Sequence, residues 1–299
     1  MHYVIGTRGS KLALVQTEYV KKRLEKAYPQ DTFEMKVIRT TGDKNQTQSL
    51  ESIGTKGIFT DEIEKQLLNG EIALAVHSMK DMPSEIHGKL TFAKSWTRED
   101  PRDVLILKDV EKLDQLPCGA VIGTGSKRRA YQLKKLRPDI VVVDIRGNVD
   151  TRIKKLMDSN EGLDGIVLAA AGMKRLGREK EISQYFSPEE MIPAPAQGIL
   201  AIETRKDNRE LLDKLNFLAD EEINYATELE RKFLKFIGGD CHYPIGAFYD
   251  LQETFYVLFG HPDGSKIVSV KKKINHSDQD MDRIIDELVR EIRKQLEEE

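Results

Sequence analysis

Short apolar runs alternate with stretches whose apolar residues fall at helical spacing, and this alternation constrains the fold of the chain more than any other feature. Tyr3-Val4-Ile5-Gly6 reads as a strand running into a turn. Ser10 then reads as the N-cap of a helix carrying Leu12, Val15, Tyr19, Val20 and Leu24, with Pro29 beyond its end. Phe33, Met35 and Val37 alternate as a strand. Thr60 to Leu68 is predicted helical, with Asp61 and Glu62 in its first turn and Gly70 past its end. Ile72 to Val76 is predicted as a buried strand. The middle repeats the pattern, with strands at Val104–Leu107, Ala120–Ile122, Ile140–Val143 and Gly165–Leu168, and helices at Ser126–Leu136 and Asp150–Met157. Strands separated by helices in this way predict a parallel or mixed sheet covered by helices.

The alternation breaks at Ile192-Pro193-Ala194-Pro195-Ala196-Gln197-Gly198, where proline removes amide donors and restricts the preceding residues. This is predicted to be a connector, and Leu200–Glu203 after it a returning strand. The C-terminal quarter differs, with a helix over Ile223–Phe236, strands over Thr254–Phe259 and Ile267–Lys273, and a closing helix. That helix places Met281, Ile284, Ile285, Leu288, Val289, Ile292 and Leu296 on one stripe, which fits packing on a small sheet better than a coiled-coil seam. A length of 299 residues suits two domains or three small ones and buries a core without disulfides.

With 47 basic and 50 acidic residues, the chain has no net field to draw it to nucleic acid or a membrane surface. Its two cysteines, Cys118 and Cys241, make neither a disulfide framework nor a cysteine zinc site, and six histidines show no ligand spacing, so no metal is expected. Met1 to Ser10 has no apolar signal region, and the apolar stretch around Ile166–Ala171 is far too short to span a bilayer. A cytoplasmic, reduced protein is expected.

The basic residues matter more by position than by number. Arg8, Arg128, Arg129, Arg146, Arg152 and Arg175 fall where predicted strands hand over to turns or helices, the usual ligand edge of an open α/β sheet. Each alone reads more readily as a solvated charge. Together they suit a polycarboxylate or phosphorylated ligand, because guanidinium grips such groups with paired hydrogen bonds. Gly123-Thr124-Gly125-Ser126 before a helix is a generic anion-binding start and lacks the nucleotide P-loop ending. His77-Ser78-Met79-Lys80-Asp81-Met82-Pro83 follows a buried strand, so Asp81 is either a base or cation stabiliser or simply a turn residue before the proline. Cys241, within Ile237-Gly238-Gly239-Asp240-Cys241-His242-Tyr243-Pro244, reads as an irregular-loop residue whose thiol is either a nucleophile or tether or has no chemical role.

Taken in order, these blocks resemble the porphobilinogen deaminase (hydroxymethylbilane synthase) family. The resemblance runs through Gly6-Thr7-Arg8-Gly9-Ser10-Lys11-Leu12-Ala13, Gly54-Thr55-Lys56-Gly57-Ile58-Phe59, His77–Asp81, Asp100-Pro101-Arg102-Asp103, Gly123–Arg129, Arg146-Gly147-Asn148-Val149-Asp150-Thr151-Arg152, Ala170–Gly177, the connector ending in Gln197-Gly198, and the cysteine loop. Gly125, Lys127, Ser52 and Asp240 depart from the family pattern. The resemblance implies two α/β domains with mixed sheets flanking a cleft, periplasmic-binding-protein-like, plus a small α+β domain. These would be residues 1–97 with 197–215, 98–196, and 216–299. It implies a dipyrromethane cofactor, thioether-linked at Cys241, onto which four porphobilinogen units condense with loss of ammonia before a linear tetrapyrrole is released. Asp81 would be the catalytic carboxylate. Ser78, Lys80, Thr124, Ser126, Arg128, Arg129, Arg146 and Gly147 would hold the cofactor, and Arg8, Ser10, Lys56, Phe59, Arg146, Arg152, Arg175 and Gln197 the substrate. It also implies a monomer, and the polar stretch Thr41–Ser52 suits an active-site flap. Two further classes compete with this one: a two-domain carboxylate-binding protein, which would need neither Asp81 nor Cys241, and an inactive scaffold, which their presence disfavours.

Overall fold

A computed structural model describes residues 1–40, 60–238, 243–275 and 280–298. In chain order its main elements begin with β1 (His2–Arg8), α1 (Lys11–Ala27), β2 (Thr32–Ile38), α2 (Asp61–Leu68), β3 (Leu74–Ser78) and β4 (Leu90–Phe92). The second run is β5 (Asp103–Leu107), β6 (Val121–Gly123), α3 (Lys127–Leu136), β7 (Val141–Val143), α4 (Val149–Met157), β8 (Gly165–Ala169), α5 (Ala170–Arg175) and β9 (Gln184–Tyr185). The chain then continues through β10 (Leu200–Arg205), α6 (Arg209–Phe217), α7 (Glu221–Ile237), β11 (Gly246–Tyr249), β12 (Thr254–Gly260), β13 (Ile267–Lys273) and α8 (Met281–Glu297).

The first sheet has the order β2-β1-β3-β10-β4. Strands β1, β2 and β3 run parallel, with Tyr3 opposite Phe33 and Ile5 opposite Leu74. Strand β10 returns antiparallel between β3 and β4, with Ile202 opposite Val76. The connector therefore sends the chain back into the middle of its first sheet. Ser10 caps α1 as its sequence predicts, its Oγ accepting from Ala13 N at 3.3 Å. Val20 and Leu24 of that helix are buried with Tyr3, Ile5, Leu74 and Ile202.

The second sheet repeats this design in the order β7-β6-β8-β5-β9, with β6 parallel to both neighbours and β5 antiparallel to both of its own. Strand β5 is buried along its whole length, and its first residue is a carboxylate, Asp103. The third sheet is an antiparallel meander, β11-β12-β13. The apolar stripe of α8 (Ile284, Ile285, Leu288, Val289, Ile292) is buried in one cluster with Phe233 of α7 and Phe255 and Val257 of β12. The stripe thus meets a small sheet, as its spacing predicts. By contact the chain forms two compact units, residues 1–98 with 199–224 and residues 99–198 with 225–299.

Candidate active site

In the first unit the site residues gather at the carboxyl edge of the parallel strands. Arg8 ends β1, and the β1–β3 register sets it level with His77, directly before Ser78 at the end of β3. Arg8 and Ser78 are half-buried, and His77 is buried. Gln16 of α1 donates from Nε2 to Ser78 Oγ at 3.0 Å, tying the helix to the strand end. Residues Met79–Asp81 then form one 3₁₀ turn. Met79 and Met82 are buried on either side of it, and Met79 N donates to Ile199 O at 3.0 Å. The apolar anchors fix the turn, so Lys80 is left half-buried and Asp81 exposed. Beneath the turn, buried His77 and Glu203 approach to 3.3 Å.

In the second unit, adjacent parallel strands β6 and β7 deliver two loops side by side. Thr124 follows β6, is buried, and donates its amide to Val143 O at 2.9 Å. Ser126 caps α3. Arg128 and Arg129 lie in the first turn of α3 and point inward, 4% and 6% exposed. Their shared partner is Asp103, which is wholly buried. Arg128 Nη1 donates to Asp103 Oδ2 at 2.6 Å and to Ile192 O at 2.7 Å. Arg129 Nε donates to Asp103 Oδ1 at 2.9 Å, and Arg129 Nη1 to Val167 O at 3.1 Å. Gln197 Nε2 adds bonds to Asp103 Oδ1 at 2.9 Å and Pro101 O at 2.7 Å.

Burial alone would push the Asp103 carboxyl up, but the two guanidiniums and Gln197 outweigh it and hold the group far below the usual carboxylate range. Burial lowers the Arg128 guanidinium against the opposing pull of Asp103. This node, one carboxylate for two guanidiniums, carries an excess positive charge next to the N-terminus of a helix.

The loop after β7 holds the next group. Arg146 Nε donates to Asp144 Oδ2 at 2.8 Å. Gly147 has φ 111°, a conformation closed to most side chains, and its carbonyl accepts from Arg152 Nε at 2.8 Å. Asn148 caps α4, placing Arg152 in that helix's first turn. Arg175 departs from the expected position: it closes α5 instead of following a strand, and its Nη2 donates to Gly198 O at 2.6 Å.

Of the residues singled out from sequence, Arg8, Ser10, Ser78, Lys80 and Asp81 thus share the first unit. Thr124, Ser126, Arg128, Arg129, Arg146, Gly147, Arg152, Arg175 and Gln197 share the second. Lys56, Phe59, Asp240, Cys241 and the Thr41–Ser52 stretch lie outside the described residues. Three residues hold the site together without being singled out for a role by the sequence pattern. Asp103 had a signal, a charge opening an otherwise apolar strand. Gln16 and Glu230 had none beyond a polar residue on a helix. Glu230 is fully buried on α7. Its Oε2 accepts from Ala196 N at 2.6 Å and its Oε1 from Tyr249 N at 2.8 Å, binding α7, the connector and β11 together.

Among the described residues no group of His, Cys, Asp and Glu could hold a metal ion, and no helix is long and apolar enough to cross a membrane.

The sequence matches the family described as "Porphobilinogen deaminase, dipyromethane cofactor binding domain" over residues 3–213. It is 60% identical over 275 residues to a porphobilinogen deaminase of Lachnospira eligens, covering 91% of this chain and 93% of the relative. The corresponding protein of Clostridioides difficile is 51% identical, with 90% of each chain covered. That of Clostridium novyi is 46% identical, covering 99% of this chain and all of the relative. Among solved structures, the methionine-binding protein MetQ aligns with a TM-score of 0.47 at 14% identity, over 77% of this chain and 94% of that one. A chain that carries the family's cofactor-binding domain and matches its members from end to end at these identities belongs to the porphobilinogen deaminase family.

Proposed function

We propose that the chain is a hydroxymethylbilane synthase, a transferase that condenses four porphobilinogen molecules head to tail with loss of ammonia and releases a linear tetrapyrrole by hydrolysis. The observation that carries this reading is the Asp103–Arg128–Arg129 node. Two arginines with side chains 5% and 7% exposed share one carboxylate, so the node has room in its charge balance for an anion. A dipyrromethane bears several carboxylates, and the donors around the node fit one of them. Thr124 and Ser126 at the start of α3 and Arg146 with Gly147 on the neighbouring loop would hold this group, with Cys241 as its thioether anchor. When bound, it supplies the pyrrole carbon to which substrate is joined.

The chain's own residues do the rest. Arg8, Ser10, Lys56, Arg146, Arg152 and Arg175 would hold the acetate and propionate of the incoming pyrrole, with Phe59 against its ring and buried Gln197 acting through Asp103. Loss of ammonia from its aminomethyl group leaves a cation spread over the ring. Asp81, on the turn anchored by Met79 and Met82, would stabilise that charge, while Ser78 and Lys80 beside it would hold the cofactor. Ser10 would act partly through its backbone, since its hydroxyl caps α1. On this reading the chain divides at 1–97 with 197–215, 98–196 and 216–299, one sheet to each part, and works in the cytoplasm as a monomer without nucleic acid. Incubating the protein with porphobilinogen tests the activity. Ammonia and a linear tetrapyrrole should appear in a ratio of four to one, and the absence of ammonia would refute the proposal.

A further inference from the structure

The loop after β7 sets a carboxylate of the protein's own where the proposed site would receive one from the ligand. Asp144 precedes Arg146 by two residues, and its Oδ2 accepts from Arg146 Nε at 2.8 Å. Its other oxygen lies over Gly125: a Cβ on that glycine would come within 2.8 Å of Asp144 Oδ1. Gly125 stands between Thr124 and Ser126, at the N-terminal end of α3, where the helix field and backbone amides favour an anion. The Asp144 carboxylate therefore combines a guanidinium partner with a helix start, the two features that would recognise a ligand carboxylate. Asp103 offers the contrast. Its pair with Arg128 is sealed, with side chains 0% and 5% exposed, whereas the side chains of Asp144 and Arg146 are 55% and 37% exposed. An ion pair that open adds little to stability and is easily exchanged.

We propose that Asp144 is a placeholder for a ligand carboxylate and tunes how tightly Arg146 takes up the acetate or propionate of a pyrrole. This rests on the reading that Arg146 binds such carboxylates. A ligand carboxylate must displace one of equal charge, so a single contact gains little. A pyrrole that brings two carboxylates recovers the difference through its second contact. The same exchange loosens the hold on the finished chain, because Asp144 is ready to reclaim Arg146.

The test uses the holoenzyme and the variants Asp144→Asn, Gly125→Ala and Arg146→Gln, with KM for porphobilinogen as one readout. The other is the Kd of a pyrrole acetate–propionate that lacks the aminomethyl group and cannot react. Asp144→Asn should lower both constants about two- to fivefold, the range of an exposed ion pair. The gain should fade at high salt. Gly125→Ala pushes the flexible carboxylate aside and should shift both constants the same way, with no further gain on adding Asp144→Asn. The melting temperature should stay unmoved in Asp144→Asn and Arg146→Gln; in Gly125→Ala the new Cβ also comes within 3.3 Å of the Ile145 carbonyl. If Arg146→Gln weakens binding while Asp144→Asn leaves it unchanged or weaker, the placeholder is wrong and the role of Arg146 survives. If Arg146→Gln changes neither constant, the underlying reading of Arg146 falls as well.

Discussion

Asp103→Asn removes one negative charge from the most buried ionic node in the second unit. Arg128, Arg129 and Gln197 all donate to this carboxylate, and none of the four side chains has appreciable access to water. Removing one partner of a buried pair costs about 3–5 kcal/mol, since the remaining charges stay desolvated. Asparagine keeps one acceptor oxygen, so the loss should fall near the low end, still a large share of a typical ~5–15 kcal/mol stability. Urea unfolding measures it. The single tryptophan, Trp96, is buried in the first unit, so its fluorescence follows that unit, while far-ultraviolet circular dichroism follows both. The dichroism transition should move to lower urea. The pH dependence gives a second check. Folded Asp103 titrates far below its unfolded value of about 3.9, so between the two the unfolded state binds more protons. Wild-type stability therefore falls on acidification through that window, and the gap to Asp103→Asn should narrow below about pH 4. A loss under ~1 kcal/mol at neutral pH would refute the claim that Asp103 holds both arginines.

Glu230→Ala leaves the amides of Ala196 and Tyr249 without their acceptors, at about 1–3 kcal/mol each, and hydrogen exchange at those two amides should quicken. Glu64 titrates above its ordinary value, first through burial and then through nearby Glu203, so folded protein keeps that proton to higher pH than unfolded protein. Stability should fall as pH rises from about 4.3 through the raised value, and Glu64→Gln should remove this fall; parallel pH profiles would count against it. Asp81→Asn should cut turnover by ~10²-fold with an unchanged melting curve, because the side chain is exposed and serves charge stabilisation alone.

Much of this was legible in the sequence because hydrophobic period and capping act locally. Ser10, Ser126 and the α8 stripe announced their elements within a residue or two. Strand β3 begins two residues later than the apolar run at Ile72 suggests: the Ile72 amide still donates to Gln66 O at the end of α2, while the Ala73 amide already reaches Val4 O of β1. Short strands β4 and β9 and the return of β10 between β3 and β4 depend on pairings remote in sequence, which no local pattern encodes. The arginines divided along the same line. Their clustering at strand and helix ends was visible, but the partner of Arg128 and Arg129 lies about 25 residues upstream and is set by the β5–β8 pairing. Arg175 resisted for a similar reason: α5 starts directly at the end of β8 and carries it to a helix end.

The mass of the intact protein, purified from cells without added substrate, tests the central claim most directly. Wild-type chain and Cys118→Ser should both exceed the sequence mass by two pyrrole units, and Cys241→Ser should match the bare sequence, because a serine hydroxyl is too poor a nucleophile to form the link. A wild-type mass with no pyrrole excess, or an excess that survives in Cys241→Ser and vanishes in Cys118→Ser, would contradict the account.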